Sequence, residues 1–331
     1  MSCYLAGIAH HLPDRIVTND ELAAGNPGWD PERLYKKTGI RQRHVAADGE
    51  TAADLGVLAA ERLLGRSGVD RRTIDTLIVG TQSPDHFLPG NSALIQDRLG
   101  LPTTCAAFDV TLGCSGYTYG LWLARALIDS GSSRKVLLVS CDTYSRYCDP
   151  HDVTTVTLFG DAAGATLLTG EPRGALAEVG STVLGTDGRG AVNLIVAEGA
   201  ARSLAGPGAP PCRPPRLFMN GPEVFSFTLD SVKAGVDRLL DANGLGWDQV
   251  DLFLMHQANR FLLDNLRLKF RVDPVRMPID VELTGNTVNA SIPLLMSRLL
   301  EQGRLTGPKT CVLAGFGVGY SWAMSLVRWL E

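Results

Sequence analysis

The segment that decides the fold is ERLLGRSGVDRRTIDTLIVGTQ (61–82), which recurs in diverged form as DRLLDANGLGWDQVDLFLMHQ (237–257). In both copies a helical pattern stops near a glycine, and a short apolar run typical of a buried strand follows. The copies share an Arg-Leu-Leu triplet, then a glycine, an aspartate and, after a one-residue slip, a glutamine. Such a repeat constrains the architecture of the whole chain.

Two further pairs of segments repeat in the same order. FDVTLGCSG (108–116) aligns with IDVELTGNT (279–287), and KVLLVS (135–140) aligns with TCVLAG (310–315). Helix–turn–strand units resemble one another by chance, but three pairs in one order favour a duplication. We therefore expect two similar α/β halves packed about a pseudo-twofold axis, with equivalent strand ends meeting at one central crevice.

Short strand-like runs alternate with helical patterns, which is typical of an α/β fold. The predicted strands are Thr76–Gly80, Ala106–Val110, Val136–Ser140, Leu252–Met255 and Cys311–Ala314. The predicted helices are Ala59–Leu64, Ser92–Leu99, Tyr119–Leu127, Asp230–Asp241 and Phe261–Phe270. We expect an N-terminal half, 1–172, that carries a nucleophilic cysteine, and a C-terminal half, 173–331. The proline-rich stretch Ala205–Arg216 is predicted to be a loop.

The composition narrows the class of protein. The chain has 331 residues, 45% of them hydrophobic and 20% charged, which indicates a globular protein folded throughout. A net charge of -4 argues against nucleic-acid binding, which requires a basic face. Seven scattered cysteines without a CxxC pair fit reduced thiols, and the N-terminus lacks a basic signal-like start. No apolar run reaches the roughly 20 residues of a membrane span, so we expect a cytoplasmic protein.

Cys114 is the first candidate catalytic residue, because it lies between a predicted strand and an apolar helix, YTYGLWLARAL (117–127). A helix N-terminus lowers the pKa of a thiol from its free value of about 8.5, and a nearby imidazole favours the thiolate further. Gly113 and Gly116 permit a tight turn and the close approach of a substrate. A small buried core residue is the alternative for a lone cysteine. The predicted convergence of strand ends favours a nucleophile.

His256 and Asn286 lie at strand ends of the second half. His256 follows the apolar run DLFLM (251–255), and Asn286 lies in TGNTVNAS (284–291). Taken singly, a histidine is more often a hydrogen-bonded structural residue, and Asn286 or Asn289 is an ordinary turn or N-cap residue. Only their expected convergence with Cys114 makes His256 and Asn286 candidates for catalysis.

The run GFGVGYSW (315–322) follows a predicted strand near the end of the sequence. It superficially resembles a GxGxxG dinucleotide loop, but its spacing is GxGxG and it does not open a βαβ unit with a downstream acidic residue. Successive backbone N–H groups in such a turn form a nest for an oxyanion, which suits this position better.

Nearly the whole chain resembles the β-ketoacyl-acyl-carrier-protein synthase III family, a branch of the thiolase superfamily. The motifs that carry the resemblance are KKTGIRQRH (36–44), FDVTLGCSGYTYGL (108–121), CDPHD (148–152), FGDAAGA (159–165), HQAN (256–259), GNTVNASIP (285–293) and GFGVGYSWAMSLVRW (315–329). The resemblance implies a thiolase-like five-layered αβαβα fold, a homodimer, and a catalytic triad of Cys114, His256 and Asn286. It also implies an oxyanion hole formed by the backbone N–H groups of Cys114 and Val318.

The implied reaction has two half-reactions. Cys114 first takes an acyl group from an acyl thioester of coenzyme A or of a carrier protein. A malonyl group on acyl carrier protein then loses carbon dioxide while His256 and Asn286 hold its enolate, and the carbanion attacks the acyl enzyme. The thioesters are substrates, and we expect no cofactor and no metal. Phe159, Met219 and Phe225 are the candidates for the acyl pocket.

Two features bear on the substrates. Family members that take a coenzyme A primer often stack its adenine between a tryptophan and an arginine, and this chain has Arg33 and Val153 at those positions. Either coenzyme A is held differently or the primer arrives on a carrier protein. The helix after His256 is predicted to present Arg260, Arg267 and Arg271 on one face, for docking an acidic acyl carrier protein. A merely solvated face is the alternative.

Other functions fit parts of the pattern. An acyltransferase of this fold would pass the Cys114-bound acyl group to a hydroxyl or amine of a small molecule, although the intact Asn286 favours condensation. A biosynthetic thiolase should offer a second cysteine in the C-terminal glycine turn, and GFGVG has none. A papain-like hydrolase needs neither the duplication nor that turn. A catalytically silent partner subunit is disfavoured by the complete triad.

Overall fold

The computed structural model describes residues 2–201 and 216–330, so the predicted loop Ala205–Arg216 lies outside the described residues except for Arg216. The strands are β1 (Cys3–His11), β2 (Ile16–Thr18), β3 (Gln42–His44), β4 (Thr76–Gly80), β5 (Ala106–Val110), β6 (Lys135–Asp142), β7 (Ala162–Thr169), β8 (Ala177–Thr186), β9 (Leu194–Val196), β10 (Leu217–Met219), β11 (Leu252–Met255), β12 (Lys309–Gly317) and β13 (Ser321–Trp329). The helices are α1 (Asn19–Ala24), α2 (Pro31–Thr38), α3 (Ala52–Ser67), α4 (Asn91–Arg98), α5 (Gly116–Asp129), α6 (Gly221–Ala242), α7 (Arg260–Phe270) and α8 (Ser291–Glu301).

The largest sheet of the described residues repeats one strand pattern twice. Its order is β11-β12-β13-β8-β1-β7-β6-β4-β5, so β4-β6-β7-β1 of the first half corresponds to β11-β12-β13-β8 of the second. In each half the first pair is parallel and the next two pairs are antiparallel. The predicted duplication is therefore confirmed. The halves join where β1 pairs with β8, and the division at residue 172, between β7 and β8, stays a prediction about domains.

The helices form three layers around the strands. Helices α3 and α4 pack against strands of the first half, and α6 packs against β8, β12 and β13 of the second half. Helices α5 and α8 contact strands of both halves, so they form the layer between them. Apolar side chains fill the spaces between these layers in three large clusters. The arrangement is the predicted five-layered αβαβα fold.

Capping residues fix the helices that border the crevice. The side chain of Asp30 caps the N-terminus of α2, where Pro31 is the first helical residue, and Gly39 ends the helix in the left-handed conformation. Asn259 caps α7 by accepting a hydrogen bond from the backbone of Leu262 at 2.8 Å. This cap starts α7 directly after the HQAN motif, which holds His256 at the end of β11.

The described cysteines and helices also bear on the expected environment. Six of the seven cysteines lie in the described residues, and all six are free and buried. None of the helices described is both long and apolar enough to cross a membrane.

Candidate active site

A cavity of about 1020 Å³ reaches the strand ends of both halves. Cys114, His256 and Asn286 all line it, together with Phe316 and Gly317. The side chains of α2, α6 and α7 line its other walls. The structure therefore brings the three predicted triad residues together. His256 follows β11 and Cys114 lies in the connection after β5, but none of the described strands leads to Asn286, whose backbone forms an isolated bridge with Phe159. The prediction that Asn286 lies at a strand end was wrong, because its segment repeats the sequence pattern of β5 without pairing into the large sheet.

Cys114 lies in the turn between β5 and α5, two residues before the first helical residue. The hydroxyls of Ser115 and Ser321 lie 2.7 Å apart, which ties this turn to the hairpin between β12 and β13. Gly317 of that hairpin packs directly on Cys114, since a Cβ added at Gly317 would lie 2.8 Å from the Cβ of Cys114. Its φ of 156° also favours glycine. No larger residue fits between the hairpin and Cys114.

The pKa of Cys114 differs from the sequence-based expectation. Burial, and to a lesser extent the carboxylate of Asp142, raise the pKa of the thiol to about 12. The backbone N–H groups of Val318 and of Cys114 itself lower it, because both are directed at the sulfur. The prediction of a lowered pKa was wrong: the sequence shows a helix end beside the thiol but not how deeply the thiol is buried. At rest, Cys114 is a neutral thiol.

The imidazole of His256 is held from two sides. Its Nδ1 lies 2.6 Å from the hydroxyl oxygen of Ser291, the first residue of α8. The ring of Phe316 meets it edge-on, with centroids 5.6 Å apart. Burial lowers the pKa of His256 to about 3, so the ring is neutral at physiological pH. Nε2 is then left for chemistry at the cavity.

Asn286 has its side-chain amide oriented by the backbone. The backbone N–H of Val288 donates to Asn286 Oδ1 at 2.9 Å, so the amide nitrogen is left to donate into the cavity. Val288 adopts a φ of 51°, which is unusual and strained for a β-branched residue. Backbone hydrogen bonds to Leu158 and Gly160 fix Asn286 from the other side. The strained conformation of Val288 thus places its N–H where it orients the side-chain amide of Asn286.

The residues predicted to form the oxyanion hole and the acyl pocket all lie at or near the cavity. Val318 follows Gly317 at the tip of the hairpin, and its N–H and that of Cys114 converge on the Cys114 sulfur. Phe159, Met219 and Phe225 all line the cavity. Phe225 stacks on Phe261 with centroids 5.4 Å apart. Their roles in binding an acyl chain stay predictions.

The three arginines predicted to dock a carrier protein do not form one free basic face. Helix α7 ends at Phe270, and Arg271 caps it in the left-handed conformation. Arg267 is only 16% exposed, pairs with Asp264, and donates to the carbonyl oxygen of Met277. Arg260 pairs with Glu282 at 3.4 Å. Arg260 and Arg267 thus have partners within the chain, which helical spacing in the sequence does not show, and docking of a carrier on this face stays a prediction.

Several residues near the cavity were not predicted. Ser291 orients His256, and Val288 orients Asn286, although neither type signals such a role in sequence. The exposed Lys36 and Lys37 of α2 line the cavity, and the motif KKTGIRQRH contains both, so they were open to prediction. Within residues 2–201 and 216–330, no group of three or more His, Cys, Asp or Glu side chains could hold a metal ion.

Comparison with known families agrees with this site. The family described as 3-Oxoacyl-[acyl-carrier-protein (ACP)] synthase III matches residues 108–188, and the one described as its C terminal matches residues 240–329. The Beta-ketoacyl-[acyl-carrier-protein] synthase III of Bradyrhizobium sp. is 36% identical over 326 residues, 98% of this chain and 98% of that protein. The enzyme of that name from Rhodospirillum centenum is 36% identical over 327 residues, again 98% of each.

Solved structures agree in fold over the full length. A 3-oxoacyl-(acyl-carrier-protein) synthase III has a TM-score of 0.94 at 44% identity, covering 99% of this chain and 100% of that one. The enzyme from Pseudomonas aeruginosa PAO1 has a TM-score of 0.90 at 31% identity, covering 100% and 99%. The priming β-ketosynthase of the R1128 polyketide pathway has a TM-score of 0.90 at 30% identity, covering 100% and 97%. This chain belongs to the 3-oxoacyl-(acyl-carrier-protein) synthase III family.

Proposed function

We propose that this chain is a condensing enzyme that takes an acyl group onto Cys114 and joins it to a malonyl group on acyl carrier protein, with loss of carbon dioxide. The meeting of Cys114, His256 and Asn286 in one cavity carries the proposal. The names of the relatives, synthases III and a priming ketosynthase, support a place in fatty-acid or polyketide-type biosynthesis. The two thioesters are the substrates, and the proposal uses no cofactor. Free buried thiols support a reducing compartment, the cytoplasm.

Acyl loading begins from a neutral thiol beside a neutral imidazole. As the sulfur of Cys114 bonds to the thioester carbonyl carbon, its proton passes to His256. The backbone N–H groups of Cys114 and Val318 hold the oxyanion, a contact whose removal typically costs about 10²–10³ in rate. The donor thiolate then leaves and takes the proton from the imidazolium. The acyl group is left on Cys114, and His256 is neutral again.

Condensation uses His256 and Asn286 as neutral donors. The thioester carbonyl of the malonyl group lies against His256 Nε2 and the amide nitrogen of Asn286. When the bond between the malonyl α-carbon and its carboxylate carbon breaks, carbon dioxide leaves. These donors then hold the oxygen of the enolate that remains. The enolate carbon attacks the acyl carbonyl carbon, the carbon–sulfur bond to Cys114 breaks, and the Cys114 thiolate takes one proton from solvent as the β-ketoacyl product leaves.

Ser291 suits both half-reactions. The hydroxyl of Ser291 can donate a hydrogen bond to Nδ1 of His256 or accept one from Nδ1–H. When Ser291 accepts, Nε2 is free to take the thiol proton; when Ser291 donates, Nε2 carries a hydrogen for the enolate oxygen. A carboxylate in place of Ser291 would favour the first tautomer alone.

The experiment that tests this function follows the half-reactions separately. Intact-protein mass spectrometry with a panel of acyl-coenzyme A and acyl-carrier thioesters should show one acyl adduct and name the primer. Malonyl-carrier labelled in its free carboxyl should then release labelled carbon dioxide and give a β-ketoacyl-carrier product. An O-acyl or N-acyl product from a small hydroxyl or amine acceptor, without carbon dioxide, would replace this proposal by the acyltransferase alternative.

The carrier protein is proposed to dock on α2. Arg33, Lys36 and Lys37 are exposed on this helix, and the two lysines line the cavity. Among the described residues, none of the three forms an ion pair. An acidic carrier that delivers its thioester into the cavity would meet these free cations first.

Charge reversal on α2 should weaken carrier binding selectively. Lys36→Glu and Lys37→Glu are each expected to raise the KM for malonyl-carrier by about two- to thirtyfold, more at low salt, since each reversal replaces an attraction of about 0.2–1 kcal/mol by a repulsion of similar size. The KM for a malonyl thioester of a small uncharged thiol should stay the same. Arg173→Glu is the matched control, because Arg173 is exposed and lies in the connection between β7 and β8. Equal effects of all three changes would rule out docking on α2.

A homodimer is proposed to form along β5. This strand lies at the edge of the nine-stranded sheet, and its Ala106, Ala107 and Phe108 are exposed. Phe87 and Leu88, in the segment before α4, are 74% and 83% exposed. An unpaired edge beside apolar side chains fits a second copy of the same edge.

Sedimentation of the intact protein tests this dimer. The wild type should sediment at twice the chain mass of 35.4 kDa, and Leu88→Asp should shift it toward one chain. Leu268→Asp, at a leucine that is 76% exposed on α7, should leave the mass unchanged. A wild-type monomer at micromolar concentration would contradict the proposal.

A further inference from the structure

Asp142, the last residue of β6, is a buried carboxyl group that the proposed chemistry does not use. It is 0% exposed, and among the ion pairs of the described part of the chain none includes it. A buried carboxyl group without a cation is costly and is retained only where its surroundings favour it. Its hydrogen bonds therefore indicate what it does.

Only donors surround the two carboxylate oxygens. Oδ1 accepts from the backbone N–H of Gln82 at 2.8 Å and from the hydroxyls of Ser83 and Thr81 at 3.1 and 3.2 Å. Oδ2 accepts from the backbone N–H of Asn289 at 3.4 Å. The first three donors follow β4 in the first half of the chain. The fourth lies in the second half, so Asp142 links the two halves.

The two residues held through their backbone N–H groups flank the turn of Cys114. The side chain of Gln82 packs on Gly113, where a Cβ would lie 2.3 Å from Gln82 Oε1. The side chain of Asn289 packs on Gly116, where a Cβ would lie 2.9 Å from Asn289 Oδ1. Asp142 thus supports Gly113 through Gln82 and Gly116 through Asn289, on either side of Cys114.

The same carboxylate supports the turn that carries Asn286. Asn289 follows Val288, whose backbone N–H orients the amide of Asn286. The amide of Asn289 is 1% exposed, and neither its nitrogen nor its oxygen has a hydrogen-bond partner. Its position between Gly80 and Gly116 and its backbone bond to Asp142 therefore fix it.

We propose that Asp142 is a positioning residue of the active site: its carboxylate holds the Cys114 turn and the Asn286 turn together, and its ionisation controls the reactivity of Cys114. The inference rests on the proposed role of Cys114. The structure supports the electrostatic part, because the charge of Asp142 raises the pKa of the Cys114 thiol. Burial raises the pKa of Asp142 itself to about 7, although its four donors lower it. Its charge therefore changes near neutral pH.

The titratable groups that Asp142 affects lie on β6, in the turn before α5 and in the segment after β6. They are the thiols of Cys114 and Cys141 and the phenols of Tyr144 and Tyr147, and burial raises the pKa of each of them. All four stay neutral at pH 7. Asp142 is then the group whose charge changes in this interval, and the sign follows: below pH 7 it is neutral and Cys114 is more acidic, and above pH 7 it is charged and Cys114 is less acidic.

Alkylation of Cys114 by iodoacetamide tests this coupling without any acyl donor, so its failure is distinguishable from failure of the proposed function. Far below the pKa of a thiol, the alkylation rate rises tenfold per pH unit. In the wild type the rise should fall clearly below tenfold per unit between about pH 6 and 8, since the thiol pKa rises as Asp142 ionises. In Asp142→Asn it should stay tenfold throughout. If Asp142 had only a structural role, Asp142→Asn would change the alkylation rate by the same factor at every pH and leave its dependence on pH unchanged.

Asp161→Asn is the matched control. Asp161 is also 0% exposed and hydrogen-bonded to Ser145, but it acts on the pKa of Cys148 and not of Cys114. This variant should keep the reduced slope of the wild type. If Asp142→Asn does not fold, the wild-type profile decides alone: a tenfold rise per unit through the whole interval would overturn the proposal.

Discussion

Cys114→Ala is expected to abolish the acyl adduct and to lower the rate of β-ketoacyl formation by at least about 10³-fold. The sulfur is the atom to which the acyl group bonds, and no other thiol lines the cavity in the described part of the chain. The loss should appear in intact-protein mass spectrometry after incubation with the acyl thioester that the wild type accepts.

Cys148→Ala is the matched control for that result. Cys148 is also a buried thiol of the same apolar cluster, and burial raises its pKa to about 12 as well. It does not line the cavity, so its removal should leave the adduct in place. An adduct of equal yield in Cys114→Ala would show that the nucleophile lies elsewhere, and an adduct lost in both variants would show a general packing effect.

The elements that the sequence predicts are those with an apolar run between turn residues. The observed bounds of β4, β5 and β11 equal the predicted ones. The unpredicted β7, AAGATLLT (162–169), is rich in alanine and glycine, which have little preference for strands. It is a strand because it pairs on both sides, with β1 and with β6. Such tertiary pairing is not visible in a local pattern.

The residues of the candidate site also fall into those that the sequence predicts and those that it does not. The meeting of Cys114, His256 and Asn286 in one cavity was predicted from the duplication, although Asn286 reaches the cavity from a loop and not from a strand end. Ser291 and Asp142 could not, since their contacts join residues 35 and 147 positions apart that no repeat relates. The pKa of Cys114 depends on depth below the surface, which the residues around it in sequence do not report. The meeting of these three side chains was therefore predictable, and the contacts that orient them were not.

Burial at the cavity explains why Cys114 and His256 are both neutral. A thiol with a pKa of about 12 and an imidazole with a pKa of about 3 cannot form an ion pair at rest. In the proposed mechanism the proton moves as the thiol attacks a thioester carbonyl, whose oxyanion the backbone N–H groups of Cys114 and Val318 hold. The neutral His256 and Asn286 also favour decarboxylation in the proposed mechanism, since a resident cation would stabilise the malonyl carboxylate and hold it in place.

Asn286→Ala is expected to keep acyl loading within a few-fold of the wild type and to lower malonyl decarboxylation by about 10²–10³-fold, the usual cost of one oxyanion donor. The reason is geometric, since the amide nitrogen of Asn286 is free while its oxygen is held by Val288. Loading is measured by adduct formation with the primer thioester, and decarboxylation by release of labelled carbon dioxide from malonyl-carrier.

Asn286→Asp separates the donor from the turn that holds it. An aspartate keeps an oxygen for the backbone N–H of Val288 and so preserves the strained turn, but it replaces the donating nitrogen by an acceptor. It should therefore lose decarboxylation at least as fully as alanine does, because a carboxylate repels the enolate as well as failing to donate. Recovery of decarboxylation in Asn286→Asp would show that Asn286 only shapes the turn. Equal loss of loading and decarboxylation in Asn286→Ala would show that Asn286 is not a donor specific to the second half-reaction.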